Sequence, residues 1–150
     1  MEDLIELLSL LNFHDVRYLV IGAHALGLHG HIRATKDIDL WVERTRSNAE
    51  KLAEALREFG ADIGIAGVDR FASEGNQMIR LGVPPNMVDI LNFAGESTFV
   101  EVWGEREEGK LWGVPIMYPS RTNLIHMKRA AGRPQDLVDI ERLDQNSDTG

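Results

Sequence analysis

The stretch Arg33-Ala-Thr-Lys-Asp-Ile-Asp-Leu-Trp-Val42 decides how this chain folds. From Asp37 to Val42 it reads as a strand, on which side chains at i and i+2 share a face. Asp37 and Asp39 therefore project together, while Ile38, Leu40 and Val42 turn the other way. Two carboxylates side by side on an otherwise apolar strand repel one another unless a cation sits between them. A divalent metal is the natural candidate, and Mg²⁺ suits hard oxygen ligands of this kind best.

Working outward, Tyr18-Leu-Val-Ile21 is a short apolar run, predicted as a buried strand over 17–21, and it ends in Gly22-Ala23. His24 to Leu28 reads as a short helix closed by Gly30. Glycine at a strand-to-helix turn allows close backbone approach, and a new helix offers unpaired N–H groups to an anion. A phosphate-binding turn, a short helix and a strand with two carboxylates are the parts that metal-dependent phosphoryl chemistry requires. Downstream, Asn86-Met-Val-Asp-Ile-Leu91 reads as another strand, with Asp89 opposed in direction to Val88 and Ile90. If this strand neighbours the first, a spacing of about 4.8 Å brings Asp89 within reach of a shared metal site. A third carboxylate there serves either as general base on an acceptor hydroxyl or as the completion of a two-metal clamp.

Gly22-Ala23, thirteen intervening residues and then Asp37-Ile-Asp39-Leu40 resemble the signature of the polymerase-beta-like nucleotidyltransferase superfamily. The wording Arg33-Ala-Thr-Lys-Asp-Ile-Asp39 and the tail Lys128-Arg-Ala-Ala-Gly-Arg-Pro-Gln-Asp-Leu-Val-Asp-Ile140 are most similar to the abortive-infection toxin branch and its small relatives. The resemblance runs from about Tyr18 to about Leu143. It implies Mg²⁺ as cofactor, two ions with Mn²⁺ as a substitute, held by Asp37, Asp39 and Asp89. It implies a nucleoside triphosphate bound at Gly22, Ala23 and Lys128, and attack by an acceptor hydroxyl activated by Asp89 with pyrophosphate leaving. The acceptor would be a tRNA or other RNA end, a protein hydroxyl or a small molecule, in a toxin–antitoxin or phage-defence setting with a cognate antitoxin as partner. A binding module of the same fold, without turnover, is the alternative. Two departures favour it: Ala23 stands where the superfamily has Gly or Ser, and larger members append a helical domain where only two helices follow here.

Composition narrows the classes. At 150 residues with 43% hydrophobic content, one α/β (α+β) domain over 1–145 is expected, a small mixed sheet flanked by helices with two C-terminal helices. No run approaches the ~18 apolar residues that span a bilayer, and no basic-then-apolar secretory pattern opens the chain, so no membrane partner is expected. The absence of cysteine excludes disulfides and thiolate metal sites and fits a cytoplasmic protein. A net charge of −8 argues against a broad nucleic-acid surface. Yet Gly109 to Gln135 holds no acid and carries Lys110, Arg121, Lys128, Arg129 and Arg133, just after the acidic Glu96, Glu101, Glu105, Glu107 and Glu108. This basic segment suits a triphosphate or an RNA end, and equally a partner surface.

The remaining pattern predicts an amphipathic helix over 2–13, a helix over 47–59 with Ser47 as N-cap and Gly60 as stop, and a short helix over 68–72. Strands over 77–81 and 87–91 flank a turn, a short helix spans 98–106, and one or two strands over 110–117 break near Pro115. Ser120 caps a helix to Ala131, Gly132 stops it, Pro134 opens the last helix, and 146–150 is expected to be a disordered tail. Arg33 and Lys36, just before the carboxylate strand, either screen its charge or touch substrate. Lys128 and Arg129 at one helix C-terminus, and Asp136 and Asp139 in the first turns of the next, also satisfy the helix dipoles. The five histidines lack the helical spacing of a zinc hydrolase and read as structural, with His29 or His31 the ones nearest a nucleotide. Trp41, Trp103 and Trp112 read as packing residues.

Overall fold

Alternation on one strand divides the molecule into a packed face and a chemical face. In the computed structural model, which describes residues 2–30, 37–83 and 86–147, strand β2 (Asp37–Val42) buries Ile38, Leu40 and Val42 in the main core and turns Asp37, Asp39 and Trp41 to the opposite side. The elements around it are α1 (Glu2–Phe13), β1 (Tyr18–Ile21), α2 (Gly22–Leu28), α3 (Arg46–Phe59), α4 (Gly64–Ala72), β3 (Met78–Leu81) and β4 (Met87–Leu91). They continue with α5 (Phe99–Gly104), β5 (Glu107–Leu111), β6 (Val114–Tyr118), α6 (Arg121–Ala131) and α7 (Pro134–Ser147).

Four strands form a mixed sheet in the order β1-β2-β4-β3. β1 runs antiparallel to β2, β2 parallel to β4, and β4 antiparallel to β3. Leu7, Leu8 and Leu11 of α1 and Leu52, Ala55 and Leu56 of α3 pack on the inner face against Val20, Leu40, Val88 and Ile90. Each Leu, Val or Ile side chain among them removed from water contributes about 1.5–3 kcal/mol. On the other face a smaller cluster of Leu19, Trp41, Phe99 and Val102 docks α5 beside the carboxylates. Ala25, Leu26, Leu124 and Leu143 pack α2, α6 and α7 together, and this seats the C-terminal helices over the end of β1. Among the described residues no helix is long and apolar enough to cross a membrane.

Several boundaries differ from expectation for physical reasons. The N-cap of α3 is Thr45, whose hydroxyl accepts from the Asn48 N–H at 3.1 Å, so Ser47 lies inside the helix. The helix expected over 68–72 starts at Gly64; glycines mask its propensity, yet a Cβ on Gly67 would collide with Ile63. The break between β5 and β6 falls at Trp112-Gly113, both at positive φ (49° and 82°) as a two-residue hairpin turn requires, while Pro115 sits inside β6. The last helix continues through Ser147, and the rest of the expected tail lies outside the described residues.

Candidate functional site

One row of the sheet gathers charge from three strands. Arg80 on β3 pairs in register with Asp89 on β4, Asp89 with Asp39 on β2, and Asp39 with Ile21 at the end of β1. In-register residues on neighbouring strands point the same way, so the row places a cation, two carboxylates and the β1–α2 turn side by side. Asp37 adds a third carboxylate two residues away on the same face of β2.

Gly22 makes this packing sterically feasible. Its φ is +71°, and a Cβ there would run into Asp39 Oδ2. Gly22→Ala is therefore expected to destabilise the fold by about 2 kcal/mol, through positive-φ strain and displacement of Asp39. Urea unfolding checks this, and a change below about 0.5 kcal/mol would mean that the turn has room to relax.

Burial pushes the Asp39 carboxyl up to about 6, helped by repulsion from Asp89 and then Asp37, while Lys128 and Arg80 pull the other way. Its proton is held more tightly in the folded chain than in the unfolded one. Asp39 thus favours folding at low pH, and that contribution is lost as pH rises toward and through 6. Asp39→Asn imitates the protonated form. It should melt at a higher temperature than the native chain at pH 7.5, and the difference should vanish below about pH 4, where both forms are neutral. A difference independent of pH would show that Asp39 is not strained.

Arg80 holds Asp89 with two bonds: Nε donates to Oδ1 at 2.8 Å and Nη2 to Oδ2 at 3.1 Å. Among the described residues no three His, Asp, Glu or Cys side chains close on one point as a preformed metal cage. Asp37, Asp39 and Asp89 are brought side by side, with the third engaged by a guanidinium.

Facing Asp39 across a cleft of about 450 Å³ is the end of α6. Leu124, Met127, Lys128 and Ala131 recur at helical spacing and line it, together with Gly22, the loop Gly95-Glu96-Ser97, Arg133 and Asp136. Lys128 is buried, its Nζ 3.3 Å from Asp136 Oδ1 and 3.4 Å from Asp139 Oδ2. Asp136 also accepts from the Arg133 side chain at 2.7 Å and from the Arg133 N–H at 3.1 Å, and so ties the α6–α7 turn together. The Arg133 hydrogen bond first, and Lys128 after it, hold the Asp136 carboxyl down at about 2 against its burial. Asp139 Oδ1 accepts from Gln135 Nε2 at 2.9 Å.

Of the residues anticipated from the sequence, Gly22, Asp39 and Lys128 line this cleft, Asp37 and Asp89 adjoin it on the sheet, and Ala23 follows Gly22 in α2. Arg33, Lys36 and His31 lie outside the described residues. His29 is buried instead against Tyr118 and the Pro119 carbonyl, away from the cleft. Arg80 and the 95–97 loop were not foreseen, and Arg133 was anticipated only as one member of the basic segment. Arg80 becomes visible only once the β3–β4 register is known, because a slip of one residue would face it into the core side.

A mixed four-stranded sheet with a strand–glycine turn–helix beside paired carboxylates, and helices closing the cleft, is a nucleotidyltransferase fold, as expected from the sequence. Among solved structures the chain is similar to the lincosamide antibiotic adenylyltransferase LnuA with lincomycin bound. The two share 15% sequence identity over 95% of each chain, with a TM-score of 0.54. No family model matches the chain, and no curated protein matches it.

Proposed function

We propose that the chain is a Mg²⁺-dependent nucleotidyltransferase, which moves a nucleoside monophosphate from a nucleoside triphosphate to a hydroxyl and releases pyrophosphate. The observation that carries this reading is the crowding of Asp37, Asp39 and Asp89 on one sheet face, beside Gly22 and opposite Lys128. Three carboxylates so placed, one of them pushed up to about 6, form a donor set that a divalent cation would relieve. Asp37 and Asp39 are the residues that would hold Mg²⁺, or Mn²⁺ in its place, and Asp89 would join them on leaving Arg80. When bound, the ions supply charge neutralisation on the phosphate oxygens.

The chain's own residues supply the rest. Gly22 and the start of α2 bring backbone close to the triphosphate, with Ala23 contributing no hydroxyl. Lys128 and Arg133 lie on the opposite wall, where both are already paired with Asp136, and Asp89 would take the proton of the acceptor hydroxyl as the hydroxyl oxygen attacks the α-phosphorus. Arg33 and Lys36, which precede β2 in the sequence, are further candidate nucleotide contacts. The bond from the α-phosphorus to pyrophosphate breaks as the new ester forms. An RNA end, a protein or a small molecule can supply the hydroxyl. The fold shared with an antibiotic adenylyltransferase supports a small molecule, and a net charge of −8 disfavours free RNA. The abortive-infection resemblance supports a defence role with an antitoxin partner, in the cytoplasm.

The test is incubation with each α-³²P nucleoside triphosphate and Mg²⁺, with total RNA, protein lysate or hydroxylated antibiotics as acceptor, beside Asp37→Asn/Asp39→Asn. Label transferred by the native chain and not by the variant supports the reading. One observation favours the rival, a nucleotide- or partner-binding module without turnover: Arg80 occupies Asp89. A folded preparation that binds nucleotide and transfers no label would establish the rival.

A further inference from the structure

Both oxygens of Asp89 are taken by a single guanidinium in a two-pronged arrangement. Such a fork approaches a carboxylate in its own plane, between the two oxygens, where a chelated cation would also sit. The Asp89 side chain is 10% exposed, whereas the arginine side chain is 53% exposed on the edge strand β3. Arg80 therefore has water to move into, unlike Lys128, which is enclosed between two buried carboxylates. Asp37 and Asp39 also act on the Arg80 guanidinium, so it serves the whole acidic row rather than one partner.

From this geometry we infer that Arg80 is an exchangeable counter-cation: it closes Asp89 while no metal is bound, and a divalent cation on Asp37 and Asp39 displaces it. The inference rests on the metal reading above. It adds a threshold, since a metal must compete with a built-in cation for its third carboxylate. A weakly held ion is then retained chiefly when a triphosphate supplies further oxygens. The half-exposed arginine makes the exchange cheap, because an ion pair with one solvated partner gives up little when it opens.

The test titrates Mn²⁺ into the nucleotide-free chain, reading free ion by electron paramagnetic resonance, for the native protein, Arg80→Gln and Asp37→Asn/Asp39→Asn. Alongside it, ¹⁵N spectra follow the Arg80 Nε–H during a Mg²⁺ titration. Expected are binding about tenfold tighter in Arg80→Gln, loss of binding in the aspartate variant, and disappearance of the slowly exchanging Arg80 Nε–H signal as Mg²⁺ saturates. Equal or weaker binding by Arg80→Gln, or an Arg80 signal unchanged at saturation, would overturn the exchange and leave the metal reading standing. Absence of Mn²⁺ binding in the native chain and in Arg80→Gln, with both folded by circular dichroism, would remove the metal reading and the exchange with it.

Discussion

Lys128→Met should destabilise the protein by about 3–5 kcal/mol, because it removes the buried ammonium that lies between two buried carboxylates. The Lys128 side chain is 10% exposed, and its partners Asp136 and Asp139 are 1% and 0% exposed. Methionine matches the length of the lysine stem and removes only the charge and its donors. Arg133 remains on Asp136, so the greater strain falls on Asp139. The double variant Lys128→Met/Asp139→Asn should therefore recover much of the lost stability, a coupling that a thermodynamic cycle from urea unfolding would measure. Additive effects of the two substitutions would show that the lysine does not stabilise Asp139.

Asp37→Asn/Asp39→Asn carries the opposite sign for stability. Removing two crowded negative charges should leave the fold at pH 7 as stable as the native chain or more so, since ionising Asp39 there is unfavourable. Nucleotidyl transfer, by contrast, should fall by about 1,000-fold or more, the scale of several kcal/mol lost when metal-held charge is removed from a phosphoryl transition state. Gain in one property with loss of the other marks residues kept for chemistry at the expense of the fold. A thermal melt and the labelled-nucleotide assay on one preparation check both halves. A variant that loses activity only because it unfolds would make the carboxylates structural.

The carboxylate strand was legible because its signal is a two-residue period, and alternation of Asp37 and Asp39 with Ile38, Leu40 and Val42 appears in the sheet as written in the chain. Helix ends marked by Gly60, Ser120 and Gly132 were legible for the same local reason. Less legible were features set by tertiary contact. Thr45 rather than Ser47 caps α3 because Asn48 also bonds the Arg17 backbone, N–H and carbonyl both, and this fixes where the helix starts. For Lys128 the sequence offered the helix dipole and, through the resemblance, a favoured phosphate contact; its burial between Asp136 and Asp139 involves the next helix, which no local pattern reveals. Arg80 was invisible because hairpin register depends on the turn, and one residue of slip exchanges the two faces.

The parallel pairing of β2 with β4 has a consequence for how the chain comes together. Asp39 and Asp89 are neighbours in space although α3, α4 and β3 lie between them in the chain, so no single element or hairpin contains both. Non-local pairings of this kind close late, after the local helices and the β3–β4 hairpin have formed. The opposite wall arrives later still along the chain, on α6 and α7. During synthesis the acidic strand is thus exposed well before anything faces it, and a partly made chain has no cleft in which to hold a ligand.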